Sequence, residues 1–398
     1  MKPVYIVDIL RSPVGKFGGA LSAVRPDDLA AITIKKLIDR NPQIDIHDIE
    51  DVVLGAANQA GEDNRNVARM ALLLAGLPQH IGGVSVNRLC ASGLQSIIDA
   101  SRGIMCGDGK IYIAGGVESM TRAPFVMAKN EHPFGRIADL HDTTIGWRFT
   151  NKKLVQMGHT NTMGETAENV AHKWNISRLA QDEFAMRSQE KYFAAEAQHK
   201  FKEERITIEI ATKKELVPFD TDEFPRLSSL DALSKLKPAF MADGSVTAGN
   251  SSGINDGAAC MLLCGEETIQ KYNLKPLAKI KSMAIAGVEP KYMGIGPVYA
   301  TQKALHRAGL KISDLDLIEL NEAFASQSIA CIQELGLDIN KVNVNGGSIA
   351  IGHPLGASGS RISATLIHEM RRRGSRYGLA TMCIGVGQGA AIIFEGTK

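Results

Sequence analysis

Val84-Ser85-Val86-Asn87-Arg88-Leu89-Cys90-Ala91-Ser92-Gly93 changes its period partway along. Val84 to Asn87 read as a strand, and from Ser92 to about Met105 the pattern is helical. Cys90 falls at the junction. Working outward, Val52-Val53-Leu54 is a strand before this unit. Ile111-Tyr112-Ile113-Ala114 is a strand after it, ahead of a Gly115-Gly116 turn. The alternation predicts an α/β fold with buried, largely parallel strands.

The same grammar returns near the C-terminus. Leu317-Ile318-Glu319-Leu320 and Val342-Asn343-Val344 read as strands, a helix follows Ser358, and Gly378-Leu379-Ala380-Thr381 is a further strand. Asn58 follows the first strand of one half and Asn321 its counterpart, and 321 − 58 = 263. Cys90 and His353 each end the next strand, and 353 − 90 = 263. Equal offsets with matching element order point to an internal duplication. Residues 1–120 plus 247–272 form the first half and 273–398 the second. Between them, 121–246 has a different texture, richer in charge, with one helix over 178–200 that Ser177 caps. It reads as an excursion that forms a lid or binding layer.

The bulk composition narrows the function classes. With 398 residues the chain is long enough for two or more domains. A formal net charge of +2 with no polybasic tract makes nucleic acid and anionic membrane poor partners. No apolar run approaches the roughly 18 residues of a membrane span, and no secretory signal is expected. Six scattered cysteines without a CxxC pair suit free thiols in a reducing cytoplasm. No metal ligand set is expected.

Four segments could carry chemistry. Cys90 faces the positive end of the helix that follows, where unsatisfied N–H groups lower a thiol pKa. Asn345-Gly346-Gly347-Ser348-Ile349-Ala350-Ile351-Gly352-His353-Pro354-Leu355-Gly356-Ala357-Ser358-Gly359-Ser360-Arg361 is too glycine-rich for a plain helix or strand and fixes His353 in its middle. That placement suits a general base or thiol activator. No Gly-Lys-Ser/Thr follows, so this is not a nucleotide-phosphate loop. Cys383-Ile384-Gly385-Val386-Gly387-Gln388-Gly389 exposes backbone N–H groups suited to an oxyanion. Asn321-Glu322-Ala323-Phe324-Ala325 places an asparagine at a strand end. Each cysteine has a bland reading as a small core hydrophobe; it is the set that is specific.

With Thr247-Ala248-Gly249-Asn250-Ser251-Ser252-Gly253-Ile254-Asn255-Asp256-Gly257-Ala258-Ala259, these segments resemble the thiolases. The resemblance runs from Arg11-Ser12-Pro13 to the last strand. It implies a duplicated, five-layered αβαβα fold with an inserted loop domain that binds coenzyme A and the acyl chain. It also implies a ping-pong acyl transfer. Cys90 matches the nucleophile, His353 its activator, and Cys383 the acid/base at the thioester α-carbon. Asn321 matches the residue that holds an oxyanion-hole water. The N–H groups of Cys90 and Gly385 match a second oxyanion hole.

Further matches are Ser252 and Arg226 for the coenzyme A arm, and Met163, Phe240, Met293, Ala323 and Phe324 for the acyl and pantetheine tunnel. Coenzyme A and acetyl-CoA are then substrates, with no tightly bound cofactor, and a homotetramer or homodimer is implied. Acetoacetyl-CoA-forming thiolases commonly carry histidine before the Met-Gly of the loop domain; here it is Thr162. Asp142-Thr143-Thr144-Ile145-Gly146-Trp147-Arg148-Phe149 and Gly61-Glu62-Asp63-Asn64-Arg65-Asn66-Val67-Ala68-Arg69-Met70 resemble the 3-oxoadipyl-CoA subgroup, whose substrate has a distal carboxylate that a cation such as Arg148 could meet. A medium-chain 3-oxoacyl-CoA stays open as the substrate, and competing readings are an acetoacetyl-CoA-specific acetyltransferase, a decarboxylating ketosynthase without need of Cys383, and a non-catalytic acyl-CoA-binding relative.

Overall fold

The computed structural model describes residues 2–397. Nine strands form one continuous path: β1 (Val4–Arg11), β2 (Ile49–Gly55), β3 (Gly82–Val86), β4 (Ile111–Ser119), β5 (Asn255–Gly265), β6 (Ala278–Gly287), β7 (Leu317–Leu320), β8 (Tyr377–Ile384) and β9 (Gln388–Gly396). Their order is β7-β8-β9-β6-β1-β5-β4-β2-β3, with Gly15–Lys16 pairing beside β5. β1 meets β6 only at Tyr5↔Lys279 and Ile6↔Ala278, so two half-sheets join at one edge.

Outward from that edge the halves repeat. β1 and β6 each run antiparallel to a long strand, β5 or β9. That strand runs antiparallel to β4 or β8. A parallel neighbour, β2 or β7, follows. The duplication read from equal spacing is therefore a duplication of topology. Two expectations fail. Most pairings are antiparallel, because each half is built around β5 or β9 returning beside an earlier strand. Val342–Val344 forms no strand: a single parallel bridge joins Val342 to Ile318, and Asn343 turns away with φ +45°.

The helices of eight residues or more are α1 (Pro26–Asp39), α2 (Val67–Leu74), α3 (Ser92–Cys106), α4 (Met163–Lys173), α5 (Arg178–Ala197), α6 (Gly296–Ala308), α7 (Ala325–Leu335) and α8 (Leu355–Arg373). Leu29, Ile34 and Leu72 from α1 and α2 pack on Leu54, Ile113 and Leu262. Ala114 and Leu263, one residue on, face the other way, onto Leu94 and Ile97 of α3 and Ile362 and Leu366 of α8. Phe394 and Met382 cover the far side of that central pair, while Ile393 and Leu379 face α6 and α7. The result is five layers, helix–sheet–helix–sheet–helix. Both faces of each half-sheet are buried, which is why the strands read as continuous apolar runs.

Gly115-Gly116 is no turn; β4 continues through it to Ser119. A Cβ on Gly116 would lie 2.0 Å from the Gly356 carbonyl, so glycine there lets the start of α8 press against the sheet. Between β8 and β9 the chain turns within Gly385–Gly387, whereas between their counterparts β4 and β5 it leaves for residues 120–254. That excursion carries α4 and α5, and Ser177 accepts a bond from the Ala180 N–H at 3.2 Å as N-cap of α5. It is bolted to the sheet by buried Arg11, which donates to Glu204 at 2.7 Å and bidentately to Asp222 at 2.7 and 3.0 Å. No described helix is long and apolar enough to cross a membrane.

Candidate active site

Cys90 lies between β3 and α3, on a loop clamped from both sides. The Asn87 side chain accepts the Leu89 N–H at 2.8 Å, and the Ser92 hydroxyl donates to the Leu89 carbonyl at 2.6 Å. These bonds hold Leu89 at φ +48°, a strained angle for a branched side chain, immediately before the cysteine. Arg88 then reaches across the two halves. Its guanidinium donates to Gln95 at 2.6 Å on α3 and to Gln388 at 2.7 Å on β9. Gln388 follows the Gly385–Gly387 turn, where Val386 has φ +63°. The Cys90 loop and the glycine turn are thus tied together, and the Gly385 N–H points at the Cys90 sulfur.

His353 is not at a strand end. It follows a short helical turn, Ser348–Ile351, and precedes α8. The Asn255 side chain accepts its backbone N–H at 2.9 Å. A one-way chain of bonds fixes its ring. Arg361 donates to Ser348, whose hydroxyl donates to Asn321 Oδ1 at 2.5 Å. Asn321 Nδ2 faces His353 Nε2 at 3.4 Å. On the other side, Nδ1 lies 2.6 Å from Ser358 Oγ, and that hydroxyl donates to the Pro354 carbonyl at 2.7 Å. Ser358 has spent its proton on Pro354, so Nδ1 carries the ring proton and Nε2 keeps a lone pair. Gly93 of α3 packs against Gly356 and Ser360 of α8, bringing the two helix starts together.

Burial sets the electrostatics, and it corrects an expectation. Desolvation pushes the Cys90 thiol up to about 11, against the favourable N–H groups of Gly385 and Cys90 itself. It pushes Cys383 well above the ordinary thiol range, helped by the nearby charge of Cys90. The predicted lowering at a helix start is overturned, because the loss of water outweighs the amide dipoles. His353 is pushed down to about 3, first by burial and then by Arg361. At neutral pH the site is at rest with two thiols and a neutral imidazole.

A cavity of about 200 Å³ opens beside Cys90, walled also by Gly385, Met163, Glu118 and the segment Thr143–Arg148. Cys383, Met293, Ala323 and Phe324 form one buried cluster, with Met163 packed against it. Phe240 meets Phe324 edge-on, with ring centres 6.1 Å apart. Ser252 joins this group through its N–H, 3.0 Å from the Ala323 carbonyl. Arg226 stands apart: its side chain donates to Ala248 at 2.8 Å in a niche with Gln189 and Leu233. Thr162, before Met163-Gly164, caps α4 reciprocally with Glu165.

Arg88, Ser358, Ser348, Arg361 and Glu118 join the site without a motif that singles them out along the chain. Buried Glu118 accepts N–H bonds from Ala57, Asn58 and Gly356 at 2.9, 3.1 and 2.7 Å. Ser358 and Arg361 sit inside the glycine-rich block, so periodicity (four and eight residues from Pro354–His353) was the available signal. Glu118 carries none, since its partners lie on two segments far from it in the chain.

Residues 4–267 match the family model described as thiolase, N-terminal domain, and residues 274–396 that described as thiolase, C-terminal domain. The chain is 54% identical over 399 residues to a 3-oxoadipyl-CoA/3-oxo-5,6-dehydrosuberyl-CoA thiolase of Escherichia coli (strain K12), covering 99% of this chain and 100% of that one. It is 53% identical over 398 residues to a beta-ketoadipyl-CoA thiolase of Pseudomonas putida, with the same coverage of 99% and 100%. Among solved structures, the Bacillus anthracis acetyl-CoA acetyltransferase matches with TM-score 0.93 and 40% identity, covering 100% and 99% of the two chains. The human mitochondrial 3-ketoacyl-CoA thiolase in complex with CoA matches with TM-score 0.93 and 39% identity, covering 100% and 98%.

Proposed function

The chain belongs to the thiolase family, and from that premise we propose that it cleaves 3-oxoacyl-CoA thioesters whose acyl chain ends in a carboxylate, 3-oxoadipyl-CoA foremost. Adipyl and suberyl chains, named for the relative more than half identical to it, are both dicarboxylic. The observation that carries the chemistry is the pair Cys90 and Cys383, free thiols from different halves brought to one place: Met163 walls the cavity beside Cys90 and packs against the cluster that holds Cys383.

The cycle uses the groups as they stand at rest. His353 Nε2 takes the Cys90 proton as Sγ attacks the substrate's C3 carbonyl. The N–H groups of Cys90 and Gly385 hold the oxyanion on C3. The C2–C3 bond breaks, and its electron pair becomes the enolate of acetyl-CoA. A water held by Asn321, with His353, stabilises that enolate; removing one such donor typically costs ~10²–10³ in rate. Cys383 gives its proton to C2, and acetyl-CoA leaves. Incoming coenzyme A returns a proton to the Cys383 thiolate and attacks the acyl-cysteine. Cys90 departs as thiolate and recovers its proton from His353. Coenzyme A enters as a substrate and leaves as the shortened acyl-CoA, so this cycle needs no resident cofactor.

Thiols that stay protonated, Cys383 buried and Cys90 half-buried at the cavity wall, suit these roles. Cys383 must be an acid first and a base second, and a high thiol pKa keeps it charged only while the reaction requires it. Ser252, Met163, Met293, Ala323, Phe324 and Phe240 line the approach of the thioester arm in this reading, and Arg226 meets its outer end. Exposed Phe125, Met127, Phe134, Ile137 and Leu140 favour a homodimer or homotetramer. Six unbridged cysteines suit a reducing cytoplasm.

The test is a thiolysis panel with 3-oxoadipyl-, acetoacetyl- and 3-oxohexanoyl-CoA. The dicarboxylic chain should show the highest kcat/KM, and far faster cleavage of acetoacetyl-CoA would overturn the substrate. Incubated with acetyl-CoA, Cys90→Ala should take up no acetyl group, whereas Cys383→Ala should hold it on Cys90 without turnover. Turnover surviving both changes would overturn the mechanism.

A further inference from the structure

We propose that Arg148 is the residue that selects the chain end, forming a charge-assisted pair with the substrate's terminal carboxylate while the acyl group is bound at Cys90. The inference rests on the dicarboxylate reading above and names the group that produces it.

Arg148 and Cys90 line the same cavity, and Arg148 is the one arginine or lysine among the residues that wall it. Thiolysis leaves the distal part of the substrate on Cys90. For 3-oxoadipyl-CoA that is a succinyl group, whose carboxylate is three bonds from the thioester carbon. A group that recognises it must therefore share a cavity with the nucleophile. Most of the remaining wall is apolar: Ile145, Trp147, Met120, Ala123 and Leu355. A carboxylate entering such a space needs a partner, since burying an unpaired charge is costly.

The guanidinium is free to serve. Nearby Arg122 is held by Glu62 at 2.5 Å, yet Arg148 meets no carboxylate among the described residues. The two acids closest along the wall and chain are already engaged. Glu118 accepts three backbone N–H groups. Asp142 accepts the N–H and hydroxyl of Thr144 at 2.8 and 2.6 Å. Neither forms an ion pair with Arg148, and their hydrogen bonds hold them on other groups.

The backbone carrying Arg148 is fixed while its head is unattached. Asn58 donates to the Thr143 carbonyl and hydroxyl at 3.1 and 2.9 Å, and the Thr143 hydroxyl donates to Pro124 at 2.5 Å. The Trp147 indole donates to the Asn161 carbonyl at 3.2 Å. Those bonds anchor both ends of the segment, with Gly146 at φ +90° making the bend between them. A long side chain on an anchored loop can meet carboxylates at more than one chain length. The planar fork favours a bidentate carboxylate pair, which lysine cannot reproduce.

The experiment compares 3-oxoadipyl-CoA with 3-oxohexanoyl-CoA, which has the same chain length and ends in methyl, and with the terminal-amide analogue of 3-oxoadipyl-CoA. Wild type, Arg148→Gln and Arg148→Lys are assayed for kcat and KM. Arg148→Gln should lower the ratio of kcat/KM for 3-oxoadipyl-CoA over 3-oxohexanoyl-CoA on the order of 10²-fold, mainly through KM. Arg148→Lys should recover part of it, and the amide analogue should behave in wild type like the methyl chain. An unchanged ratio in Arg148→Gln would overturn the proposal, as would an equal loss on both substrates, which would place Arg148 on the coenzyme or in loop support. A wild type that already prefers 3-oxohexanoyl-CoA would instead overturn the dicarboxylate reading itself.

Discussion

Arg88 Nη1 donates to Gln388 Oε1 at 2.7 Å, joining residues 300 positions apart in the chain. One precedes the cysteine at the start of α3; the other closes the glycine turn that aims the Gly385 N–H at that cysteine. The bond spans the two copies of the duplicated unit at the place where an oxyanion would have to be held by both. Gln388→Ala should therefore lower kcat about tenfold or more, since misplacement near 1 Å can cost ~10² in rate. KM and melting temperature should move little. Steady-state kinetics with a thermal melt checks this, and an unchanged kcat would reduce the bond to simple packing.

Ser358 acts on the imidazole in a different way. It accepts Nδ1–H only because its own proton is committed to Pro354. Ser358→Ala removes the acceptor and lets the ring take the other tautomer, with the lone pair turned away from the site. Acylation of Cys90 should slow about 10–100-fold, the usual scale for losing a residue that orients a functional histidine. Rapid-quench mass spectrometry of the acyl-enzyme measures that step alone. Equal acylation rates in mutant and wild type would show that the tautomer is set elsewhere.

The low pKa of His353 carries a stability cost in acid. Its folded value, about 3, lies below the ordinary 6.5, so the unfolded chain binds the proton first. Stability is untouched above pH 6.5 and falls as pH drops from there toward 3, by about 1.4 kcal/mol per unit for this group. In His353→Asn this part of the slope should disappear. Denaturant unfolding of both proteins across pH 4.5–7 tests the sign, and parallel slopes would contradict it.

Gly116 tests the packing of the central layer. A methyl group there would sit against the Gly356 carbonyl, with backbone on both sides and no flexible side chain to yield. Gly116→Ala should destabilise the fold by about 1–3 kcal/mol, the common cost of overpacking. It should also reduce activity, because Gly356 begins the helix that follows His353. Chemical denaturation together with kcat checks both, and a stable mutant with normal kcat would mean that the start of α8 has room to move.

What depends on local order is legible along the chain: where the period changes at Val84–Gly93, the repeated spacing of Asn58 and Cys90 with Asn321 and His353, and the residue types of the site. These are properties of neighbours along the chain, and continuous apolar runs already implied strands buried on both faces. Strand direction is set by long-range pairing, because β5 and β9 find partners far away in sequence. The same holds for the role of Gly115-Gly116, which is set by a carbonyl about 240 residues distant rather than by turn preference. The tertiary structure also reversed the expected pKa of Cys90. A helix start can be read from sequence, but the loss of water that outweighs it comes from residues of both halves and the inserted segment that wall the cavity beside one thiol.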